Sequence, residues 1–290
     1  MILPAVERAM RFALNRRGFA SRELPTPMAR LHAFDARGRG NLPPTVVLHG
    51  IGSAATSFWA TMEHLRPHVR RIVAPDLPGH GFSASPAARM TAGTLFDSVC
   101  AALDGLFEEP ILLVGNSLGG VLSLNYAIAR PERVLGLVLV SPAGARTSEQ
   151  EYRDVVRSFQ IESVADARKM LDRIHHRMPW YMPAFAPDFR STMQRRPIRD
   201  LLETTTLDDL PTSDRLGALP MPVLLLWGKS ERVFPQSALA YFRRHLPPHA
   251  IIEEPAGFGH CPHMDSPPRL AARIVEFARQ TVELSARRAV

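Results

Sequence analysis

Cysteine and lysine are scarce in this sequence. Two cysteines, Cys100 and Cys261, stand in 290 residues. That is too few for a disulfide scaffold or a four-cysteine zinc site, and a single bridge between them is not expected. Two of the 35 basic residues are lysines, Lys169 and Lys229, so the net charge of +7 rests on arginine. The arginines are scattered among 28 acidic residues, as on solvated faces, which argues against a nucleic-acid partner. No apolar stretch reaches the ~18 residues of a membrane-spanning helix. Residues 1–20 also lack the run of about 7 apolar residues that a signal peptide needs, because Glu7, Arg8, Arg11, Arg16 and Arg17 interrupt them. Arg16-Arg17 hints at a twin-arginine signal, but a polar, proline-rich stretch follows over residues 21–30 in place of the apolar region. These absences predict a cytoplasmic protein. Leu3, Val6, Met10, Ala13 and Leu14 share one helical face with arginines beside it. Residues 1–20 therefore read as a basic helix docked on its own domain, with peripheral membrane contact as the alternative.

What is present is a sizeable core: 46% of residues are hydrophobic and 22% charged. Short apolar runs over 45–48, 72–74, 111–114, 134–140 and 223–226, with a weaker one at 250–252, alternate with helical patterns near 56–66, 91–107, 118–129, 236–246 and 268–285. The runs are continuous rather than alternating, as in strands buried on both faces of a parallel sheet. The alternation predicts an α/β fold whose ligands sit beyond the carboxyl ends of the strands. The interval after Pro142 breaks the rhythm. It is helical in pattern, with Tyr152, Val155, Val156 and Phe159 at i, i+3, i+4 and i+7, and then rich in Met and aromatic residues. A structureless loop of that length is improbable in a compact domain, so it reads as a helical cap over the strand ends. Trp180, Tyr181, Met182 and Phe185 are its candidate pocket residues.

The strongest chemical signal is Gly115-Asn116-Ser117-Leu118-Gly119-Gly120, a G-x-S-x-G placed between a strand and a helix. A strand turning sharply into a helix forces its corner residue into strained φ/ψ, and flanking glycines remove Cβ clashes. Ser117 is thus a candidate nucleophile, and the Leu118 amide at the helix N-terminus a candidate oxyanion donor. Serine needs a base. Gly259-His260 follows the last strand on the correct edge, with His263 as competitor. His175-His176 lack partners at metal-ligand spacing and read as surface or cap residues, while His49 and His80 brace glycine turns. The base needs an acid. Glu231 is the one acid in the loop after 223–226, and Asp208, Asp209 and Asp265 are alternatives. The order Ser117, Glu231, His260 is that of a nucleophile-elbow hydrolase. His49-Gly50-Ile51-Gly52 offers a second oxyanion donor, Ile51 first and Gly52 second. No cofactor or metal is called for.

Taken together, His49 to Gly52, Asp76-Leu77-Pro78-Gly79-His80-Gly81-Phe82-Ser83, Gly115 to Gly120, the Trp227–Pro235 loop and Gly259-His260 resemble the α/β-hydrolase superfamily, specifically its serine esterase and lipase-like members, either monoacylglycerol-lipase-like or carboxylesterase. The resemblance implies a mostly parallel central sheet flanked by helices. It implies a core over 1–141 and 217–290, and a cap at 142–216 inserted after the sixth strand. It makes Asp76 and His80 structural turn residues. Glu231 departs from the family, since most relatives carry aspartate there.

Within the superfamily, haloalkane dehalogenases and epoxide hydrolases use a carboxylate nucleophile, which Ser117 disfavours. Carbon–carbon hydrolases of ring-cleavage products usually carry more glycines and a proline in the oxyanion loop, and a tryptophan after the histidine. Here the residues are Ile51-Gly52-Ser53 and Cys261. The expected function is hydrolysis of a small-molecule carboxylic ester with a medium-chain or lipid-like acyl group. A carbon–carbon hydrolase and an acyltransferase are the alternatives.

Overall fold

The continuous apolar runs over 45–48, 72–74, 111–114, 134–140 and 223–226 become strands with no wet face, while the weaker run near 250–252 becomes a short, partly exposed edge strand. A computed structural model describes residues 2–288; Met1, Ala289 and Val290, which the expected spans include, lie outside them. The strands are β1 (Ala20–Pro25), β2 (Arg30–Arg37), β3 (Thr45–Leu48), β4 (Arg71–Pro75), β5 (Ile111–Ser117), β6 (Val134–Pro142), β7 (Val223–Leu226) and β8 (Ile251–Glu253). They form one sheet in the order β1-β2-β4-β3-β5-β6-β7-β8. From β3 to β8 neighbours are parallel, and β1 and β2 pair antiparallel at one edge.

The helices are α1 (Leu3–Arg16), α2 (Trp59–Leu65), α3 (Ala92–Leu106), α4 (Leu118–Ala129), α5 (Glu149–Ser158), α6 (Val164–Ile174), α7 (Ala186–Met193), α8 (Arg196–Thr204), α9 (Ser213–Gly217), α10 (Gln236–His245), α11 (Pro262–Asp265) and α12 (Pro267–Arg288). The twofold period of a strand divides the runs between two layers. Leu113, Leu137, Leu139, Val223 and Leu225 pack with residues of α3, α4 and α10. Leu112, Val114, Val138, Val140, Leu224 and Leu226 pack with α2 and α12. Each such side chain contributes roughly 1.5–3 kcal/mol by leaving water. Both cysteines are free and buried.

The β1–β2 hairpin was not expected, and its polar residues explain why. β1 is a largely exposed edge. Within β2, His32 and Asp35 interrupt the apolar pattern yet are buried. They are paired instead: His32 Nδ1 lies 2.9 Å from Asp76 Oδ2, and Asp35 takes a two-pronged contact from Arg71 at 2.7 and 2.9 Å.

Helix α1 is shorter than the expected 1–20, ending at Arg16 before Gly18 at φ +85° and the start of β1. Leu14 is buried, while Leu3, Val6 and Met10 are half-buried. The amides of Ile2 and Leu3 donate to Asp188 Oδ2, the latter at 2.8 Å, fastening α1 to α7. No helix among the described residues is long and apolar enough to cross a membrane.

Between β6 and β7 the chain is helical, from α5 to α9. Capping boxes at Ser148/Glu151 and Ser163/Asp166 start α5 and α6, satisfying amides that would otherwise be orphaned. Ala167, Met170, Leu171, Met193 and Ile198 give this segment a small core of its own.

Two buried imidazoles brace the strand-end turns. His49 Nδ1 donates to Gly50 O at 2.8 Å, and its Nε2 accepts from the Leu77 amide at 3.0 Å, which fixes a neutral tautomer. His80 Nδ1 donates to Pro78 O at 2.9 Å. Burial, then the neighbouring His49, pushes His80 down to about 3. The unfolded chain takes up this proton as pH falls below about 6.5, whereas the native state does not, so stability drops from there toward pH 3. We expect His80 to account for about 2 kcal/mol of the loss between pH 7 and pH 5. Urea unfolding of His80→Asn at both pH values should show a loss smaller by about that amount; equal losses would contradict the assignment.

Candidate active site

β5 passes into α4 with no intervening loop, and Ser117 is the corner. Its backbone stands at φ +54°, ψ −117°, a region L side chains avoid. The glycines around it make the corner feasible. A Cβ on Gly119 would lie 2.3 Å from Leu48 O, so only glycine lets α4 press against β3. Ser117 is buried but lines a pocket, as do Leu118 and Ile51. The first amides of a helix have no intrahelical acceptor, and among the described residues neither the Leu118 nor the Ile51 amide has a backbone acceptor. Gly52, the second choice, lines a different and smaller pocket beside α1 and α7.

Glu231 and His260 come together from the loops after β7 and β8. His260 Nδ1 donates to Glu231 Oε2 at 2.8 Å. Glu231 Oε1 accepts the amides of Val233 at 2.7 Å and Phe234 at 3.1 Å. Burial would raise this carboxyl, but the charge of His260 and these hydrogen bonds outweigh it and hold Glu231 below the usual carboxylate range. Ser141, at φ +39°, has a buried hydroxyl with no hydrogen-bond partner among the described residues. With Nδ1 donating, Nε2 keeps its lone pair. The Ser117 hydroxyl and this imidazole are not hydrogen-bonded to each other in the structure. What joins their neighbourhoods is Asn116, whose Nδ2 donates to Val140 O at 3.0 Å and His260 O at 2.8 Å. Nothing in the sequence marked Asn116, because the motif leaves its position free.

The competitors are placed elsewhere. His263 is buried and stacks on Phe58 at 3.9 Å. Asp208 has a side chain 97% exposed, and Asp209 caps the turn at Thr206. The Asp265 side chain is buried against Gly259, His175 and His176, so of the two positions expected for His175 the surface one is excluded and it is a buried residue of the helical segment.

The expected pocket residues are corrected. Trp180 is 91% and Tyr181 49% exposed. They meet edge to face at 5.8 Å, with Phe185 beyond Tyr181. Met182 and Phe185 pack into the small core of the helical segment. None of the four lines the pocket at Ser117. Its wall comes from Tyr152, Val155 and Val156 of α5, Phe159, Leu201 and Leu202 of α8, and Phe234. The signal was in the sequence: the stripe at 152, 155, 156 and 159 reads as helical, and it lines the pocket while Val155 and Phe159 also pack into the small core of the helical segment.

The strain at Ser117 has a measurable consequence. Ser117→Gly relieves it and should raise the unfolding free energy by about 1 kcal/mol. Denaturant titration checks this, and a variant no more stable than the parent would show that the corner is unstrained.

The comparisons agree with this geometry. A sequence profile described as the alpha/beta hydrolase fold matches residues 43–267. A 2-hydroxy-6-oxo-2,4-heptadienoate hydrolase of Pseudomonas putida (strain F1) is 29% identical over 248 residues, 78% of this chain and 83% of its own. A pimeloyl-[acyl-carrier protein] methyl ester esterase of Yersinia enterocolitica is 27% identical over 247 residues, 81% and 93% of the two chains. The crystal structure of naproxen esterase (carboxylesterase NP) from Bacillus subtilis superposes with a TM-score of 0.75 at 22% identity, covering 93% of this chain and 96% of that one. With an eight-stranded, mostly parallel sheet and a serine at the strained strand-to-helix corner, the chain belongs to the alpha/beta hydrolase family.

Proposed function

We propose that this protein is a serine hydrolase of uncharged carboxylic esters with a medium-length apolar acyl group. The observation that carries the reading is the pocket at Ser117. Its wall is apolar but for a few hydroxyls, and among the described residues no charged side chain lines it. An aliphatic chain gains by leaving water there, whereas a carboxylate would be desolvated without a partner.

In this reading Ser117 Oγ attacks the ester carbonyl while its proton passes to His260 Nε2, the two closing their hydrogen bond as substrate binds. Glu231 holds the tautomer and stabilises the imidazolium. The Leu118 and Ile51 amides receive the oxyanion, each removal costing roughly 3–4 kcal/mol of transition-state stabilisation. Collapse expels the alcohol with the proton from His260, and water then releases the acid. The helical segment between β6 and β7 acts as the cap that walls the acyl site.

A second reading follows from the putida relative. A hydroxy-oxo-dienoate has no ester to cut, so its hydrolysis breaks a carbon–carbon bond, and it is an anion. The lack of a cation among the described residues of the pocket wall weighs against that substrate here, while the esterase relative at similar distance is named for the chemistry proposed.

A series of p-nitrophenyl esters tests this. kcat/KM should rise from acetate to about hexanoate or octanoate, roughly threefold or more per two methylenes. A terminal carboxylate on the same chain should lower it at least about tenfold. Glu231→Gln should lower kcat by about two orders of magnitude or more with the fold intact. Flat chain-length dependence, or bleaching of a ring-cleavage dienoate faster than any ester, would overturn the proposal.

A further inference from the structure

The loops that carry Glu231 and His260 are both stitched to one short stretch of the helical segment, the last residues of α6 and the two that follow. On the acid side, Arg173 Nε donates to Arg232 O at 2.7 Å and Nη2 to Val233 O at 3.2 Å. Arg232 Nη2 donates to His175 O at 2.9 Å, and His176 Nδ1 lies 2.7 Å from Ser230 Oγ. On the base side, the Cys261 amide donates to Ile174 O at 3.0 Å. Gly259 passes so close that a Cβ there would sit 2.5 Å from His176 N.

Asp265 closes this arrangement. Its Oδ2 accepts the Gly259 amide at 2.8 Å, and its Oδ1 accepts the His176 amide at 3.0 Å and faces His175 Nδ1 at 3.2 Å. A carboxylate only accepts, so Nδ1 is the donor. His175 and the Asp265 side chain are 1% and 4% exposed. Three N–H groups therefore converge on two buried oxygens, one of them from the residue immediately before His260.

We infer that Asp265 is a positioning residue. Together with residues 173–176 it sets the separation of the Glu231 and His260 loops, so this part of the helical segment belongs to the catalytic frame and does not open as a lid. The inference rests on the reading of Glu231 and His260 as an acid–base pair. It goes beyond that reading by giving the segment a role in kcat as well as in substrate binding. The energetic logic is that of preorganisation: a base displaced by an ångström or less loses much of its rate while the pocket, walled by α5 and α8, still binds the acyl chain.

The test is a double-mutant cycle in the full-length protein. Asp265→Asn keeps the shape but offers one oxygen and turns an amide N–H₂ against one of the donors. Rates are divided by the concentration of sites that a fluorophosphonate titrates. We expect Asp265→Asn to lower kcat about tenfold on the best ester, with KM changed less than about twofold. Glu231→Gln/Asp265→Asn should be no slower than Glu231→Gln alone, since both act through one pair. Asp265→Glu should recover part of the loss. If Asp265→Asn folds poorly, Ser230→Ala removes the tie to the acid loop and should lower kcat about threefold, again without effect beside Glu231→Gln. An unchanged kcat per titrated site, or losses that multiply in the double variant, would mean that Asp265 is structural only and overturn the inference. A parent protein inert to every ester would instead remove the serine-esterase reading, and this inference with it.

Discussion

The backbone at Ser117 is the constraint on which the rest of the molecule depends. A serine at φ +54° does not hold itself there; the surrounding structure must over-determine it. Gly119 against Leu48 O supplies one support, by letting α4 lie on β3. Asn116 supplies another, by reaching the ends of β6 and the His260 loop from the residue before. The sheet supplies the third. β5 sits between β3 and β6 with both faces covered, so the corner is carried by a strand held on both sides and both faces. The strained turn sets Ser117 and Leu118 at the rim of the pocket.

Glu231 and His260 are placed by different means. Glu231 and His260 sit on loops, and loops are soft unless tied. Two amides and an imidazole hold the Glu231 carboxylate. Asp265 and the chain around His175 hold the histidine loop. The helical segment thus has two halves in functional terms. α5 and α8 wall the pocket with Val155, Val156, Leu201 and Leu202. The end of α6 braces the chemistry. Arginine suits that brace: Arg173 and Arg232 each reach two or more acceptors between the end of α6 and the Glu231 loop, as a planar fork does.

Much of this was legible before any coordinates, and the reasons differ by element. The parallel strands announced themselves as continuous apolar runs because both faces are covered. Ser117 and the Glu231 and His260 positions followed from strand ends, since the fold gathers chemistry there. The β1–β2 hairpin stayed hidden because its burial depends on partners far away: His32 on Asp76 and Asp35 on Arg71. The same holds for His175 and Asp265, 90 residues apart, which no local pattern connects. Trp180 and Tyr181 misled because large aromatic residues suggest a pocket wall; their exposure shows that composition does not fix direction. The stripe from Tyr152 to Phe159 carried the right information, and deciding what it faces required the packed fold.

The central claim is that Ser117, activated through His260 and Glu231, is the reacting group. Its most direct test is reaction with a fluorophosphonate followed by intact mass and peptide mapping. The account predicts one adduct per chain, located on Ser117, formed far more slowly in His260→Ala and absent in Ser117→Ala. An adduct on another residue, or labelling of Ser117 at the same rate without His260, would contradict it.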